Sequence, residues 1–535
     1  MADALQIDRL LRHSQKESMA YKGIDWLWSQ DLQGGGYNNI TQLQYDTQSV
    51  SNSGQFIVWS QAFLSVPYTM SATNIGATGS VATSGVAGAL CFKAGYWNLV
   101  DSLQISCQNR TVNNLSNKSN VAQNIRVLID ADLNKGKTSL PAYGWTLDTP
   151  ECNTLGGTTP NFYTQNNRIS GQVNPPATGA WSSLSSSTNF GLLERVKLQN
   201  YQPDGVVANQ NNINQLYRGQ TYYSPANGGT QTTTGIAIIP LKYLSDFFSE
   251  KTLGMPLHNL RMYLQLNVSQ GSATYTVSGN TTTNSTFTYQ TIPITLTDAG
   301  IQSITNAGNA TSLITLNIGS YNGGTTPTRL YYPTIQLEAS VLARLTFPLK
   351  KSVTYRDIQY FTLPNQAIGP FNWQISNAIP GLKRLFIVPM IAAAIQQTKA
   401  PSWANLLSST PGTTDPYVSL SNISLQLNTR QQYSNNLLYD YEMYLEHINA
   451  QKLNGDTSDY IAGSQLGEFA WLTSYRYYVF DCSKCPSILN ISSNTPINVQ
   501  LLATNNTLLA MDLFCFAEVQ TDVILESTPL TTYVQ

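Results

Sequence analysis

The stretch that comes nearest to a chemical motif is Ala131-Asp-Leu-Asn-Lys-Gly136-Lys137-Thr138. It fits the looser form of the phosphate-binding loop, with Ala131 where glycine is usual, and follows a strand predicted over Ile125 to Ile129. The mechanism needs a helix that starts at Lys137-Thr138, so that its unbonded N–H groups face phosphate. The chain continues Ser139-Leu140-Pro141-Ala142-Tyr143-Gly144, which does not make that helix. The segment therefore reads as a polar hairpin loop. Asp130, Asp132 and Asn134 alternate as at the start of a calcium loop, but glycine comes one place late at Gly136. Pro141 stands where the closing Glu belongs. A loosely held surface cation is the most this pattern supports.

Cys482-Ser-Lys-Cys485 is a lone CxxC. A zinc site needs a second pair, and Cys91, Cys107, Cys152 and Cys515 are scattered, with only His13, His258 and His447 as helpers. A redox pair needs a helix N-terminus to lower the thiol pKa, and Pro486 in a strand-rich context opposes one. These cysteines read as structural thiols. GxSxG, HExxH and GxGxxG do not occur, and three histidines leave little general-base capacity near neutral pH. Carboxylate pairs for glycoside hydrolysis need only meet in space, but no acidic pair sits in a phrase with aromatic sugar platforms. We therefore assign no catalytic, cofactor-binding or metal-ligating residue, and expect no cofactor and no enzyme.

The elements that would position any site are strands. With 535 residues the chain has room for two cores. Charged residues are 11% of it, against about 25% in an average soluble protein, and Ser, Thr, Asn, Gln and Gly fill the gap. Uncharged polar surface costs less to desolvate than ions, which suits a protein packed against many neighbours. The net charge is −1 with no charge block, so the chain is a poor candidate for neutralising nucleic-acid phosphates. The N-terminus has no apolar signal-peptide region. The apolar run Leu385 to Ile395 is short and broken by Pro389, so no membrane span is expected. Synthesis in a reducing cell interior follows, and the sequons, such as Asn267-Val-Ser269 and Asn422-Ile-Ser424, read as chance matches.

Residues 1–48 read as an N-terminal arm, with Leu5, Ile7, Leu10 and Leu11 spaced for a helical turn or two and Gly34-Gly35-Gly36 as a joint. In 49–347, strands are predicted at Phe56 to Trp59, Ala62 to Val66, Leu90 to Phe92, Leu103 to Cys107, Ile125 to Ile129, Gly235 to Ile239, Leu260 to Leu266, Thr291 to Leu296, Leu313 to Ile318 and Tyr331 to Leu342. Long polar insertions occupy about 146–233 and 270–328. In 348–535 a second series runs through Ser352 to Leu363, Phe371 to Ile375, Arg384 to Val388, Ile423 to Leu427, Tyr475 to Phe480, Ile497 to Leu502 and Leu508 to Val519. One helix per half is predicted, Leu241 to Glu250 and Asn436 to Lys452, which hints at a duplicated layout. The fold class is all-β: two tandem β-sandwiches with short inserted helices and long decorating loops.

Three phrases resemble those of double jelly-roll major capsid proteins, the group that includes polinton-like viruses, virophages and iridoviruses. They are Ile238 to Asn267 (IIPLKYLSDFFSEKTLGMPLHNLRMYLQLN), Thr328 to Ala343, and Gly381 to Met390 (GLKRLFIVPM). The resemblance covers roughly residues 50–520, and no member we can name carries an insertion like 270–328. It implies two jelly rolls side by side and pseudo-hexagonal homotrimers that tile an icosahedral shell of a dsDNA virus. The location implied is the virion. The partners implied are neighbouring trimers, penton and other minor capsid proteins, and an inner membrane or inner layer touched by the arm, without sequence-specific nucleic-acid binding. The alternative on composition alone is a non-catalytic β-rich fibre or glycan-binding surface protein.

Overall fold

The computed structural model describes residues 21–33, 42–48, 56–77, 88–107, 110–115, 118–147, 230–249, 261–276, 291–298, 310–321, 324–337, 349–392, 419–451, 463–485, 495–507 and 510–527, with shorter pieces between them. The first half contains β1 (Tyr21–Gln30), β2 (Gln42–Asp46), β3 (Phe56–Ile57), β4 (Phe63–Ala77), β5 (Gly88–Phe92), β6 (Val100–Cys107) and β7 (Arg110–Leu115). Helices α1 (Ser119–Asp130) and α2 (Leu133–Thr138) follow, then β8 (Thr230–Pro240), β9 (Leu257–His258) and β10 (Met262–Val268). Next come β11 (Gly271–Thr276), β12 (Thr281–Thr283), β13 (Ile294–Asp298), β14 (Ala310–Ile318), β15 (Ser320–Tyr321), β16 (Gly324–Thr325) and β17 (Arg329–Leu337).

The second half is more regular. It contains β18 (Leu349–Gln366), β19 (Gly369–Pro380), β20 (Leu382–Ile391), β21 (Leu420–Leu427) and β22 (Arg430–Gln431), then α3 (Asp440–Gln451) and α4 (Glu468–Ser474). Strands β23 (Tyr478–Asp481), β24 (Pro496–Asn505), β25 (Met511–Ser527) and β26 (Thr532–Val534) complete it.

Both halves obey one wiring rule. In the second, the sheets run β18-β25-β20-β23 and β19-β24-β21-β22. In the first, β1-β17-β4-β8 and β2-β10-β6-β7 are hydrogen-bonded in the same way. Ranking the eight framework strands of each half in chain order, one sheet always takes the first, eighth, third and sixth, and the other the second, seventh, fourth and fifth. Each half places a helix between its fifth and sixth strands, α1 in the first and α3 in the second. Alternation dictates the packing: in β10 Met262, Leu264, Leu266 and Val268 are buried while the residues between them are half-buried. In β24 Ile497, Val499, Leu501 and Ala503 do the same.

The first half carries an extension between its seventh and eighth framework strands. β4 pairs with β17 only through Phe63–Ser65, and from Tyr68 to Ala77 it pairs with β14. β14 in turn pairs with β11, and β11 with β12. Gly319 closes β14 at φ 71°, where a side chain would collide with the Tyr37 ring, so both the backbone turn and the close approach require glycine.

Four sequence-based expectations need correction. The strand expected at Ile125 to Ile129 is the C-terminal half of α1, because Val121, Ala122, Ile125, Leu128 and Ile129 recur at helical spacing and all are buried. The expected hairpin loop at 131–138 is α2, capped by Asp132, whose Oδ1 accepts from Lys135 N at 2.6 Å. The helix expected over Leu241 to Glu250 is two short 3₁₀ turns, Leu241–Tyr243 and Asp246–Phe248, split because Ser245 leaves helical geometry to cap the second. The described part of the 1–48 arm is β1 and β2, which belong to the first sandwich; residues 1–20 lie outside the described residues. Most of the 146–233 insertion also lies outside them.

Candidate functional site

The residues that could do chemistry meet where the two sandwiches touch. Arg126 and Asp130 lie on α1, one helical turn apart, and Asp246 opens the second 3₁₀ turn after β8. Arg356, Arg384 and Glu518 come from β18, β20 and β25, neighbours in one sheet of the second half. Arg384 Nη1 lies 2.8 Å from Asp130 Oδ1, and Arg384 Nε lies 2.5 Å from Glu518 Oε2. Arg356 Nη2 reaches Asp130 Oδ2 at 3.0 Å, and its Nε reaches Asp246 Oδ2 at 3.3 Å. Arg126 joins Asp246 at 3.2 Å and Glu518 at 3.3 Å. Three cations face three anions, and each arginine forms at least one ion pair across the seam.

This network is deep. Glu518 is fully buried, and Arg384 is 3% exposed. Burial alone would raise the Asp130 carboxyl, but Arg384 and Arg356 outweigh it and hold it well below the usual carboxylate range. Asp246 is lowered in the same way, its burial outweighed by Arg126 and Arg356. Arginine suits this seam because its fork can serve two carboxylates at once, as Arg384 does.

Further hydrogen bonds and a ring contact extend the seam. Gln465 donates to Val127 O at 2.8 Å and Ala131 O at 2.9 Å, and accepts from Trp145 Nε1 at 3.1 Å. It thus occupies the last carbonyls of α1 from the other half of the chain. Tyr355 OH donates to Val112 O, and Asn113 Nδ2 donates to Asp357 Oδ1 at 3.0 Å. Burial pushes the Asp357 carboxyl up to about 6. Phe247 meets Tyr355 edge-on, with ring centroids 5.2 Å apart. A cavity of about 280 Å³ opens beside the network, lined by Arg126, Asp130, Lys135, Lys242, Asp246 and Arg356 among others.

The motif residues behave differently from an active site. Asp130 is committed to two guanidinium groups, so it leaves the calcium pattern, while Asp132 serves as a helix cap. Lys137 and Thr138 end α2 rather than begin a helix, and the Thr138 hydroxyl donates to Asn134 O at 2.8 Å. Cys482 and Cys485 flank a 3₁₀ turn with both thiols buried; burial raises Cys482, and the hydrogen bond from Cys482 lowers Cys485. His447 is buried against Tyr477 OH at 2.9 Å and Gln451 Nε2 at 3.1 Å, and burial pushes its pKa down to about 3. His13 lies outside the described residues. Among the described residues no group of three or more His, Cys, Asp or Glu is placed to hold a metal ion. Sequence reasoning passed over Arg126, Asp246, Arg356, Arg384 and Glu518. The available signal was charge inside apolar strand text, as in Leu382-Lys-Arg384-Leu385-Phe386.

No family model matches the sequence, and no curated protein matches it. Solved structures do. A chain from the cryo-EM structure of the Sputnik virophage matches with a TM-score of 0.54 at 13% identity, over 96% of this chain and 89% of its own. The fold is a double jelly roll. The mavirus major capsid protein matches with a TM-score of 0.48 at 13% identity, over 95% and 90% of the two chains. In a jelly roll, two four-stranded sheets wired as two Greek keys close one sandwich, which is the wiring each half repeats. The seam network is thus the weld between two jelly rolls, made by a helix of the first and the open face of a sheet of the second.

Proposed function

We propose that the chain is a major capsid protein, a structural rather than catalytic component of an icosahedral virus particle. The observation that carries this reading is the fusion of two identically wired jelly rolls by a buried, charge-balanced network. Two like lobes per chain allow three chains to present six, so a homotrimer approximates a hexagon and tiles flat facets. The similar chain comes from the structure of a virophage, which fits this assignment. On this reading the first roll runs from β1 to about residue 347 and the second from 348 to 535. The shell of the virion is its place, with neighbouring trimers and minor capsid proteins as partners. An inner membrane or inner layer, met through the N-terminal arm, is a further partner on this reading.

Purified protein examined by light scattering and negative-stain microscopy tests the reading. The expected result is a particle of three chains with a six-lobed outline. A monomer that binds glycans would refute it.

A further inference from the structure

The two rolls share their wiring but differ in one outer surface. In the second roll, the equivalent face of β18 and β25 is largely polar beyond the seam: Ser352 and Thr354 are exposed, Thr354 Oγ1 donates to Asp522 Oδ1 at 2.6 Å, and Ile524 opposite Ser352 is 42% exposed. The corresponding face of the first roll is apolar. On β1 the outward residues Ile24, Trp26 and Trp28 are 49%, 51% and 47% exposed, while Leu27 between them packs on the core. The face continues across the sheet. Trp26 lies 5.6 Å from Phe63 of β4, and Phe63 stacks on Tyr331 of β17 at 5.2 Å. On β8, Ile236 is 46% exposed. An antiparallel sheet with one face in water alternates apolar-in and polar-out, and a large apolar outer face marks an interaction surface.

The second roll exposes an apolar projection of its own. Leu438, Tyr439 and Tyr441 at the start of α3 are 55%, 68% and 51% exposed. The charges flanking the two surfaces are opposite. Arg329 lies over the Trp28 ring at 4.3 Å, whereas the projection carries Glu442, which accepts from Leu438 N and Tyr439 N; Asp440 beside it is paired with Arg476 at 3.5 Å. Two unlike, charge-complementary surfaces, one on each roll, suit a heterologous contact between copies, which can close into a ring. A surface that paired with itself would give a two-fold dimer.

We propose that the outer β1-β17-β4-β8 face is buried against a second copy of the chain, where it receives the Leu438–Tyr441 projection of that copy. This inference rests on the capsomer reading and names the adhesive surface within it. The chemistry of contact is aromatic burial, with Arg329 near Glu442 supplying orientation.

The test compares wild type, the double variant I24K/W26K and the control I524K, which places lysine at an exposed apolar residue of the second roll outside the proposed contact. Each is measured by light scattering and circular dichroism. I24K/W26K should stay folded and become monomeric at a concentration where wild type is trimeric, and I524K should remain trimeric. Under mild oxidation, W26C mixed with Y439C should form intermolecular disulfides that neither variant forms alone. A folded I24K/W26K that remains trimeric, or absence of the mixed cross-link, overturns this inference and leaves the capsomer reading intact. A wild-type monomer sinks both. An I24K/W26K that fails to fold hands the decision to the cross-link, whose variants keep an uncharged side chain at each site.

Discussion

Replacing Arg384 by methionine should weaken the weld between the rolls more than any other single change in the network. Met keeps most of the side chain's apolar length but removes the fork that touches Asp130 at 2.8 Å and Glu518 at 2.5 Å. Glu518 is fully buried, and among the described residues it would keep Arg126 at 3.3 Å and Arg356 at 3.6 Å. Breaking a buried ion pair by removing one partner costs about 3–5 kcal/mol, because the other charge stays desolvated. Asp130 is 32% exposed and recovers part of its loss from water, which places the expected cost near the lower end, about 3 kcal/mol. Urea unfolding at pH 7, followed by tryptophan fluorescence and far-ultraviolet dichroism, reads the loss. The companion variant R384M/E518M removes both charges and should recover about half of it, since an apolar pair of similar volume offsets much of a buried ion pair. Asp130 and Asp246 have lowered carboxyl pKa values, so their ion pairs contribute fully above about pH 4 and fade as pH falls through the native values. The R384M deficit should shrink in the same acid range. A deficit under about 1 kcal/mol at pH 7, or a double variant worse than R384M, would refute the weld.

Four further outcomes are expected. Asp357 has its pKa raised from 3.8 to about 6, so its burial costs stability as pH rises through that window; D357N should gain up to about 3 kcal/mol at pH 7.5 and nothing at pH 3.5, read by urea titration at both pH values. Q465A loses its bonds to Val127 O, Ala131 O and Trp145 Nε1, and should cost about 2 kcal/mol, checked by thermal unfolding against Q465E. Deleting residues 1–20 spares β1 and should leave the oligomer intact while reducing shell yield; wild-type particle numbers would show that the segment is dispensable. Cys482 and Cys485 should resist a thiol reagent in the native protein and react on unfolding, and rapid native labelling would contradict their burial.

The second roll was legible in the sequence because its strands are simple. Arg384 to Val388 and Ile497 to Leu502 carry dense apolar or alternating text, and each falls inside a single strand of the structure. The first roll was harder wherever polar residues are buried for a purpose. In α1, Asn120, Gln123, Asn124 and Arg126 break the apolar stripe, yet each is buried. Asn124 accepts from Trp97 Nε1 at 2.5 Å and donates to Asn98 Oδ1 at 2.8 Å. A pattern that counts apolar residues sees only the β-branched end of that helix. β1 hid for the opposite reason: its alternation of Ile24, Trp26 and Trp28 puts apolar residues on the outward face, so it lacks the polar outer face of an ordinary strand. The seam itself joins Asp130 to Arg384 across more than 250 positions, and spacing along a chain carries no trace of such a meeting.

β4 is shared by the sandwich and its extension without a break. Its first residues lie in the ladder of the base, and the rest, through Ala77, lie in the ladder with β14. No swivel separates the two. A pull along β4 at its far end therefore loads many β4–β14 bonds together rather than peeling them singly. The projecting part should recoil with its foundation as one stiff lever.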